Sequence, residues 1–292
     1  MNELLTDTLS PKELAMALGV SESSIKRWVD SGLITVYRTA GGHRRIPRND
    51  AIRFARQKGL RIARADILGL PGLEAVERSD TLDGDLLYRL LTSQKSDHAR
   101  NFIHAAYLSG VSLAELFDGP VVAAMKRIGE EWLSGKQGIY IEHRATAAVE
   151  DIISQLGTLQ PEPLQILPLA LGGAPPNDPH TIPSQMVASM FREHRWRTTN
   201  LGPRTPLYSF VDATQEEKPS LVWLALKTEL KDDQVSGVVA LCSRLLEANV
   251  LPVLGGSEAV AHEGKWPGGI RLVNSMTELD QIIADLTPVD AS

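Results

Sequence analysis

The sequence predicts a multidomain protein with α-helical domains first and a doubly wound α/β domain in its carboxyl-terminal half. Two patterns support this fold class. Residues 81–159 show only the three- and four-residue spacing of apolar side chains that is typical of amphipathic helices. From residue 164 onward, short apolar runs alternate with amphipathic stretches, which is typical of a parallel sheet covered by helices.

Length and composition favour a soluble protein of two or three domains. The chain has 292 residues, of which 43% are hydrophobic and 23% are charged. No apolar run has the roughly 18–20 residues of a membrane span, and the polar start has no signal-peptide pattern. The single cysteine, Cys242, excludes a disulfide framework and a structural zinc finger. We therefore expect a cytoplasmic protein without a membrane partner.

Charge is distributed unevenly along the chain. Residues 1–64 contain 12 basic and 6 acidic side chains, whereas the remaining residues contain 18 basic and 30 acidic ones. A net charge of +6 on a small head and −12 on a large body indicates that the head alone meets a polyanion. A basic surface without any partner is the alternative that charge by itself leaves open.

The first element predicted is a helix-turn-helix motif. Ser10, Pro11 and Glu13 have the pattern of a helix start with a capping box, and Gly19 permits a tight turn. Ser21 then caps a second helix whose inward side chains are Ile25, Trp28 and Val29. Its first turns carry short or basic outward residues, as a recognition helix does in the major groove of duplex DNA. The predicted DNA contacts on this helix are Ser23, Ser24, Lys26 and Arg27.

A hairpin wing is predicted after this motif. Gly41 and Gly42 suit a turn that needs positive φ, and the side chains beside it are basic or can become so: Arg38, His43, Arg44 and Arg45. The segment resembles the winged-helix head of the MerR and excisionase-like DNA-binding families, which implies that these four side chains lie against the DNA backbone. For His43 the alternative is a hydrogen bond that braces the turn, and for the arginines it is solvated surface.

Domain boundaries follow from the same patterns. We predict a head at residues 1–62, a linker at 63–80, a bundle of four helices at 81–160 and the α/β domain at 161–288. The α/β domain is predicted to be a five-stranded doubly wound (flavodoxin-like) fold, with strands at 164–171, 197–202, 220–226, 250–255 and 270–274. No sustained heptad follows the head, so we expect homo-oligomerisation through the bundle and the α/β body.

This order of domains resembles the cobalamin-binding transcription regulators of the light-responsive carotenoid-repressor kind. In the bundle, Trp132 is followed by nine residues and then by Glu142 and His143, as in that family. The resemblance implies that these three side chains cover the upper face of adenosylcobalamin. A core tryptophan and an exposed helix start are the alternative explanation of the same residues.

The α/β body carries a second match to these regulators. Asp178 and His180 stand in the loop after the first strand with the family's spacing, which implies that His180 is the lower cobalt ligand and that Asp178 holds its ring. Gly255 and Gly256 match a position where small residues let the nucleotide tail of the cofactor pass.

Three positions depart from the family pattern. Pro183 replaces a glycine after His180, so we expect the loop to take a different path. Leu224 replaces a serine in the groove for the nucleotide, and Leu133 replaces the histidine that follows the bundle tryptophan in light-responsive relatives. A leucine cannot ligate cobalt, so no imidazole is expected from that position.

The function predicted from these features is transcription regulation, with DNA bound by the head and a corrinoid sensed by the body. We expect no enzyme, because the chain shows no nucleophile or acid–base constellation and Cys242 falls on the apolar face of a helix. Two alternatives remain. One is a regulator whose corrinoid-free body senses another ligand or a partner. The other is a corrinoid carrier subunit of a methyltransferase or mutase, against which the basic head argues.

Overall fold

A computed structural model describes residues 8–39, 41–70, 82–93, 95–135 and 138–287. The chain divides into two compact units. The first unit comprises residues 1–112, 119–148 and 158–160, and the second comprises residues 113–118, 149–157 and 161–292. Within the described parts of the chain, no helix combines the length and the hydrophobicity of a membrane span.

The head of the first unit consists of three helices and a small antiparallel sheet. In chain order its elements are β1 (Thr8–Leu9), α1 (Pro11–Leu18), α2 (Glu22–Asp30), β2 (Tyr37–Arg38), β3 (Arg44–Pro47) and α3 (Arg48–Gln57). The strand order is β1-β3-β2. The predicted capping box is present, since the Glu13 amide donates to Ser10 Oγ at 3.2 Å and the Ser10 amide donates to Glu13 Oε2 at 2.7 Å. The helix-turn-helix and its wing are therefore formed as predicted.

The segment after α3 continues the head. Ala63 and Arg64 donate their amides to the carbonyl of Ala17 at 2.8 and 3.1 Å, and Leu68 is fully buried. Arg48 on α3 donates from Nη1 to the carbonyl of residue 67 at 2.7 Å. Residues 63–70, which the sequence assigns to a linker, thus lie against the head, while residues 71–80 are outside the described residues.

Five helices follow among the described residues of this region, where the sequence predicts a bundle of four. They are α4 (Gly84–Thr92), α5 (Ser96–Leu108), α6 (Leu113–Leu116), α7 (Val122–Leu133) and α8 (Ile139–Leu159). A π-helical turn, Phe117–Val121, joins α6 to α7 and contains Pro120. A wider turn accommodates a proline that lacks an N–H group, so one predicted helix appears as two. In the first unit, α4 packs against α5 and α7.

The second unit contains the α/β domain. Its elements are β4 (Leu169–Gly173), α9 (Ile182–Glu193), β5 (Arg197–Asn200), α10 (Leu207–Glu217), β6 (Leu221–Ala225), α11 (Asp232–Glu247), β7 (Leu251–Gly255), α12 (Ser257–Ala261), β8 (Arg271–Val273) and α13 (Met276–Leu286). The five strands are parallel in the order β5-β4-β6-β7-β8. This order is the flavodoxin-like one and confirms the predicted fold class. The chain changes direction between β4 and β6, where such folds bind ligands beyond the carboxyl ends of the strands.

The first strand starts later than the sequence indicates. Leu167 donates its amide to the carbonyl of Leu164, which closes a turn, and Ile166 is 87% exposed. The apolar run before residue 169 therefore forms a loop, and β4 starts just after Pro168, whose missing N–H cannot join a sheet ladder.

Cys242 on α11 lies in the apolar cluster between the helices and the sheet. It is completely buried, and its neighbours in this cluster include Val238 and Leu254. Burial raises the pKa of its thiol to about 12, because the thiolate loses its hydration.

We expect the native thiol at pH 8 to react with an aromatic disulfide reagent far more slowly than the same protein in guanidinium chloride, since only the thiolate attacks. The measurement is the rate of thiolate release in both solvents. Equal rates would contradict the placement of α11 on the sheet.

Candidate functional site

The predicted DNA contacts on α2 are exposed at the surface of the head. Ser23, Lys26 and Arg27 face solvent, whereas Ser24 is partly buried. The hydroxyls of Ser23 and Ser24 both lie within 2.9 Å of Ser21 Oγ at the start of the helix, and Lys26 forms an ion pair with Glu22 at 3.0 Å. Since all four side chains occupy the first turns of α2, this end of the helix presents a polar and basic face.

The wing places its basic residues beside α2. Thr39 donates its amide to the carbonyl of His43 at 2.9 Å, and Gly42 adopts a φ of 78°, so the hairpin closes through a left-handed glycine. A cleft of about 430 Å³ lies between this wing, α1 and α2. Five of the eight predicted DNA contacts line it: Lys26, Arg38, His43, Arg44 and Arg45.

The two consecutive wing arginines differ from Arg38 in their contacts. Arg44 donates from Nη2 to Asp30 Oδ1 at 2.7 Å, which ties β3 to the end of α2. Arg45 lies 3.7 Å from Glu13 on α1. Arg38, on the outer strand β2, is exposed. Arg44 therefore holds the wing in place, a role that its position in the sequence does not reveal.

In the α/β domain, Asp178 and His180 meet at the crevice between β4 and β6. Asp178 is completely buried, and its Oδ2 accepts hydrogen bonds from the amides of Lys227 at 2.6 Å and Thr228 at 2.8 Å. Its Oδ1 accepts from the amide of His180 at 3.0 Å. Burial alone would raise the pKa of Asp178, but the hydrogen bond from the His180 ring and those from the three amides lower it to about 2. The carboxylate is therefore ionised at neutral pH.

The ring of His180 is oriented by this carboxylate. His180 Nδ1 lies 2.7 Å from Asp178 Oδ1, and because the carboxylate only accepts, Nδ1 carries the proton. The Thr228 hydroxyl lies 3.4 Å from the same nitrogen. The side chain is half exposed, and among the described residues none forms a hydrogen bond with Nε2. Nε2 is therefore the ring nitrogen that a ligand outside the domain surface could reach.

Pro183 occupies the first turn of α9, where a missing N–H leaves no helix bond unmade. Asp178 and His180 are in contact immediately before this turn. Proline at this position is therefore compatible with the contact between Asp178 and His180. The hydroxyl of Thr181 also donates to Glu150 on α8, a contact that no sequence pattern indicates.

The two predicted glycines lie where β7 ends beside the segment after β6. Gly256 has a φ of 107°, and a Cβ at this position would be 2.2 Å from the carbonyl oxygen of Leu226. Leu226 donates its amide to the carbonyl of Gly255 at 2.7 Å. This close backbone approach is sufficient to require Gly256, independent of any ligand.

The three bundle residues of the predicted site belong to the first unit. Trp132 lies near the end of α7 and is 38% exposed, while Leu133 beside it is 77% exposed. Glu142 accepts a hydrogen bond from the Thr146 hydroxyl at 2.9 Å, and its other oxygen lies 3.6 Å from His143 Nε2. Trp132 is therefore not a core residue, and Glu142 and His143 form a polar pair at the start of α8.

Two family models match separate segments of this chain. Residues 8–59 match the family model of a helix-turn-helix domain, and residues 85–156 match that of a B12 binding domain. The chain thus joins a helix-turn-helix domain to a B12-binding domain, as its sequence predicts.

Similar proteins of known name are corrinoid proteins. Trimethylamine corrinoid protein 1 of Methanosarcina acetivorans is 24% identical over 174 residues, which cover 57% of this chain and 79% of that protein. Its namesake from Methanosarcina mazei is 26% identical over 159 residues, or 52% of this chain and 72% of the relative. The solved monomethylamine corrinoid protein of Methanosarcina barkeri superimposes with a TM-score of 0.54 at 17% identity, covering 68% of this chain and 96% of that one. That structure shares the fold of this chain.

The contacts of Asp178 predict a pH-dependent stability. Its pKa falls from 3.8 to about 2 on folding, so the ionised group stabilises the native state above pH 4 and this stabilisation is lost as the pH falls toward 2. We expect Asp178→Asn to lower the free energy of unfolding by about 2 kcal/mol at pH 7 and by about half as much at pH 3.

Urea unfolding at both pH values measures this effect, with Asp212→Asn, an exposed aspartate on α10, as the matched control. A loss that is equal at pH 7 and pH 3 would show that the carboxylate is not held ionised by these hydrogen bonds.

Proposed function

We propose that this protein is a cytoplasmic transcription regulator that binds duplex DNA through its head and a corrinoid through its body. The observation that carries the proposal is the Asp178–His180 pair at the ligand crevice of a chain that also contains a helix-turn-helix domain. The match of the helical region to a B12 binding domain and the names of the similar proteins support the corrinoid.

In the head, α2 and the wing have different roles in DNA binding. Arg38, His43 and Arg45 contact phosphates from the cleft, while Arg44 keeps the wing beside α2 through Asp30. The exposed start of α2 enters the major groove, so its side chains decide which sequence is preferred. These are Ser23, Ser24, Lys26 and Arg27. This arrangement is supported by the resemblance to MerR and excisionase-like heads.

We expect Arg38→Ala in the full chain to weaken binding to all duplexes similarly and to reduce the slope of log K against log salt by about 1, since one phosphate contact is lost. Fluorescence anisotropy at several salt concentrations measures this slope. Arg64→Ala is the matched control, because Arg64 is equally exposed but pairs with Asp66 away from the cleft. If both variants change the slope alike, the cleft is not the phosphate site.

In the body, His180 is the proposed lower ligand of the cobalt ion. Its Nδ1 lies in hydrogen-bond contact with the Asp178 carboxylate, which orients the ring and directs Nε2 away from Asp178. A corrinoid supplies a cobalt ion whose upper ligand can change. By the family resemblance, that ligand is an adenosyl group contacted by Trp132, Glu142 and His143, and Gly255 and Gly256 border the lower side.

A spectroscopic experiment tests His180 as the ligand. The full chain is labelled with ¹⁵N-histidine, loaded with cobalamin, reduced to Co(II) and examined by electron paramagnetic resonance. We expect each cobalt line to change from a triplet to a doublet on labelling, because the coordinated nitrogen then belongs to the protein. His180→Ala should abolish this change, and His98→Ala, which removes an exposed histidine of α5, should leave it intact. A triplet in the labelled wild-type complex would show that the cofactor keeps its own base.

Regulation requires that the corrinoid binds one assembly state more tightly than another, because a ligand shifts an equilibrium only by its differential affinity. We infer that the body forms homo-oligomers through its helices and α/β domain and that the ligand changes their stability. Two heads on one oligomer would then read two half-sites of an operator.

The second candidate is a corrinoid carrier for a methyltransferase, which is favoured by the names of the similar proteins. Such a carrier has no use for a basic cleft on a helix-turn-helix domain. Sequence-dependent DNA binding by the full chain favours the regulator, whereas methyl transfer from the loaded protein without DNA binding favours the carrier.

A further inference from the structure

Hydrogen bonds hold the first turn of α9 to the sheet, directly below the loop that carries His180. Ser184, the third residue of α9, is completely buried. Its hydroxyl accepts a hydrogen bond from Trp223 Nε1 at 2.9 Å and donates to Asn200 Oδ1 at 2.9 Å. Asn200 Oδ1 also accepts from the amide of Gly202 at 3.0 Å. This polar chain runs from the buried Trp223 and Ser184 to the exposed Asn200, and it holds α9 against the sheet without any ligand.

The indole of Trp223 fills the space between this turn and the strands. Trp223 stands in the middle of β6 and is 1% exposed. Its ring stacks on Phe191 of α9 with centroids 5.8 Å apart and covers Gly172 of β4, where a Cβ would lie 2.2 Å from Trp223 Cδ2. Because only a glycine leaves room for this ring, the side of the sheet that faces α9 is closely packed.

The opposite face of the sheet is filled as well. Leu224 and Leu226 alternate with Trp223 along the chain and enter the apolar cluster beneath α10 and α11, together with Phe210 and Leu230. Leu224 is the residue that replaces a serine of the family pattern. Below the crevice of His180, side chains of the domain therefore occupy both faces of β6.

This packing bears on the nucleotide tail of a corrinoid. When His180 takes the lower position on cobalt, the nucleotide base of a complete cobalamin is displaced and hangs from the ring face that meets the domain. A base with its ribose and phosphate is larger than any side chain, and a close-packed interior has no void of that size. Its entry between α9 and β6 would require that the Trp223 indole leave and that the Ser184 hydrogen bonds break.

We propose that this domain binds a corrinoid through the ring and the cobalt alone, with the nucleotide tail outside the fold, and that Trp223 is the residue that excludes the tail. This inference rests on the proposed corrinoid function and names its ligand class: corrinoids whose lower nucleotide is incomplete, absent or left in solvent.

Affinity for two corrinoids tests the inference. Cobalamin must release its base from cobalt and finds no pocket for it, whereas cobinamide lacks the nucleotide and has nothing to release. We expect the wild-type full chain to bind aquocobinamide at least as tightly as aquocobalamin in an absorbance titration. Cobalamin binding that is about tenfold tighter, a difference of about 1.4 kcal/mol, would overturn the inference. If neither corrinoid binds, the proposed function itself is refuted.

Two variants test whether Trp223 is the residue that excludes the nucleotide tail. Trp223→Val should open the space beside Ser184 and shift the ratio of the two affinities toward cobalamin. Trp196→Phe is the matched control, because Trp196 is also buried against Phe191, at 5.3 Å, but donates to Thr287 instead. A ratio that shifts equally in both variants would assign the exclusion to general packing and not to Trp223. The wild-type comparison stands even if a variant does not fold.

Discussion

The carboxylate of Asp178 is the point on which the geometry of the α/β crevice depends. It is buried among N–H groups from its own loop and from the segment after β6, and these four hydrogen bonds keep it ionised. One group thereby joins the ends of β4 and β6 and selects the tautomer of His180. A buried carboxylate without these donors would cost far more than it contributes. The loop conformation and the orientation of the His180 ring are thus two consequences of the same contact.

The sequence predicts local features well where local chemistry determines them. Ser10 and Glu13 identify the start of α1, because a capping box needs only residues three apart. Most of the parallel strands are also found because they are short apolar runs between helices, whereas β5 (Arg197–Asn200) is polar and is recognised by its place between two helices. The apolar run before Pro168 is wrongly predicted to belong to the first strand. Hydrophobicity alone does not distinguish a strand from a loop whose Ile166 side chain is exposed.

Contacts between distant parts of the chain are harder to predict. Nothing in the sequence pairs Arg44 with Asp30, since both are members of ordinary polar segments that only the fold of the head brings together. The same holds for the indole of Trp223 and the hydroxyl of Ser184, which are 39 residues apart. Asp178 and His180 are predictable because they stand two residues apart, yet the two amides that keep Asp178 ionised follow β6 and come from the sheet topology.

The packing around Trp223 also bears on how such a domain could act as a sensor. A sensor needs a folded state without ligand, because a ligand can only redistribute states that already exist. If the space beneath α9 were left open for part of a ligand, the free domain would carry a large cavity, whose cost grows with its volume. Here the indole and the Ser184–Asn200 chain complete the interior from the protein's own residues. Only the outer side of His180 then remains for the ligand. The binding free energy is not needed to complete the fold, so under the proposed function it is available to shift the assembly state of the regulator.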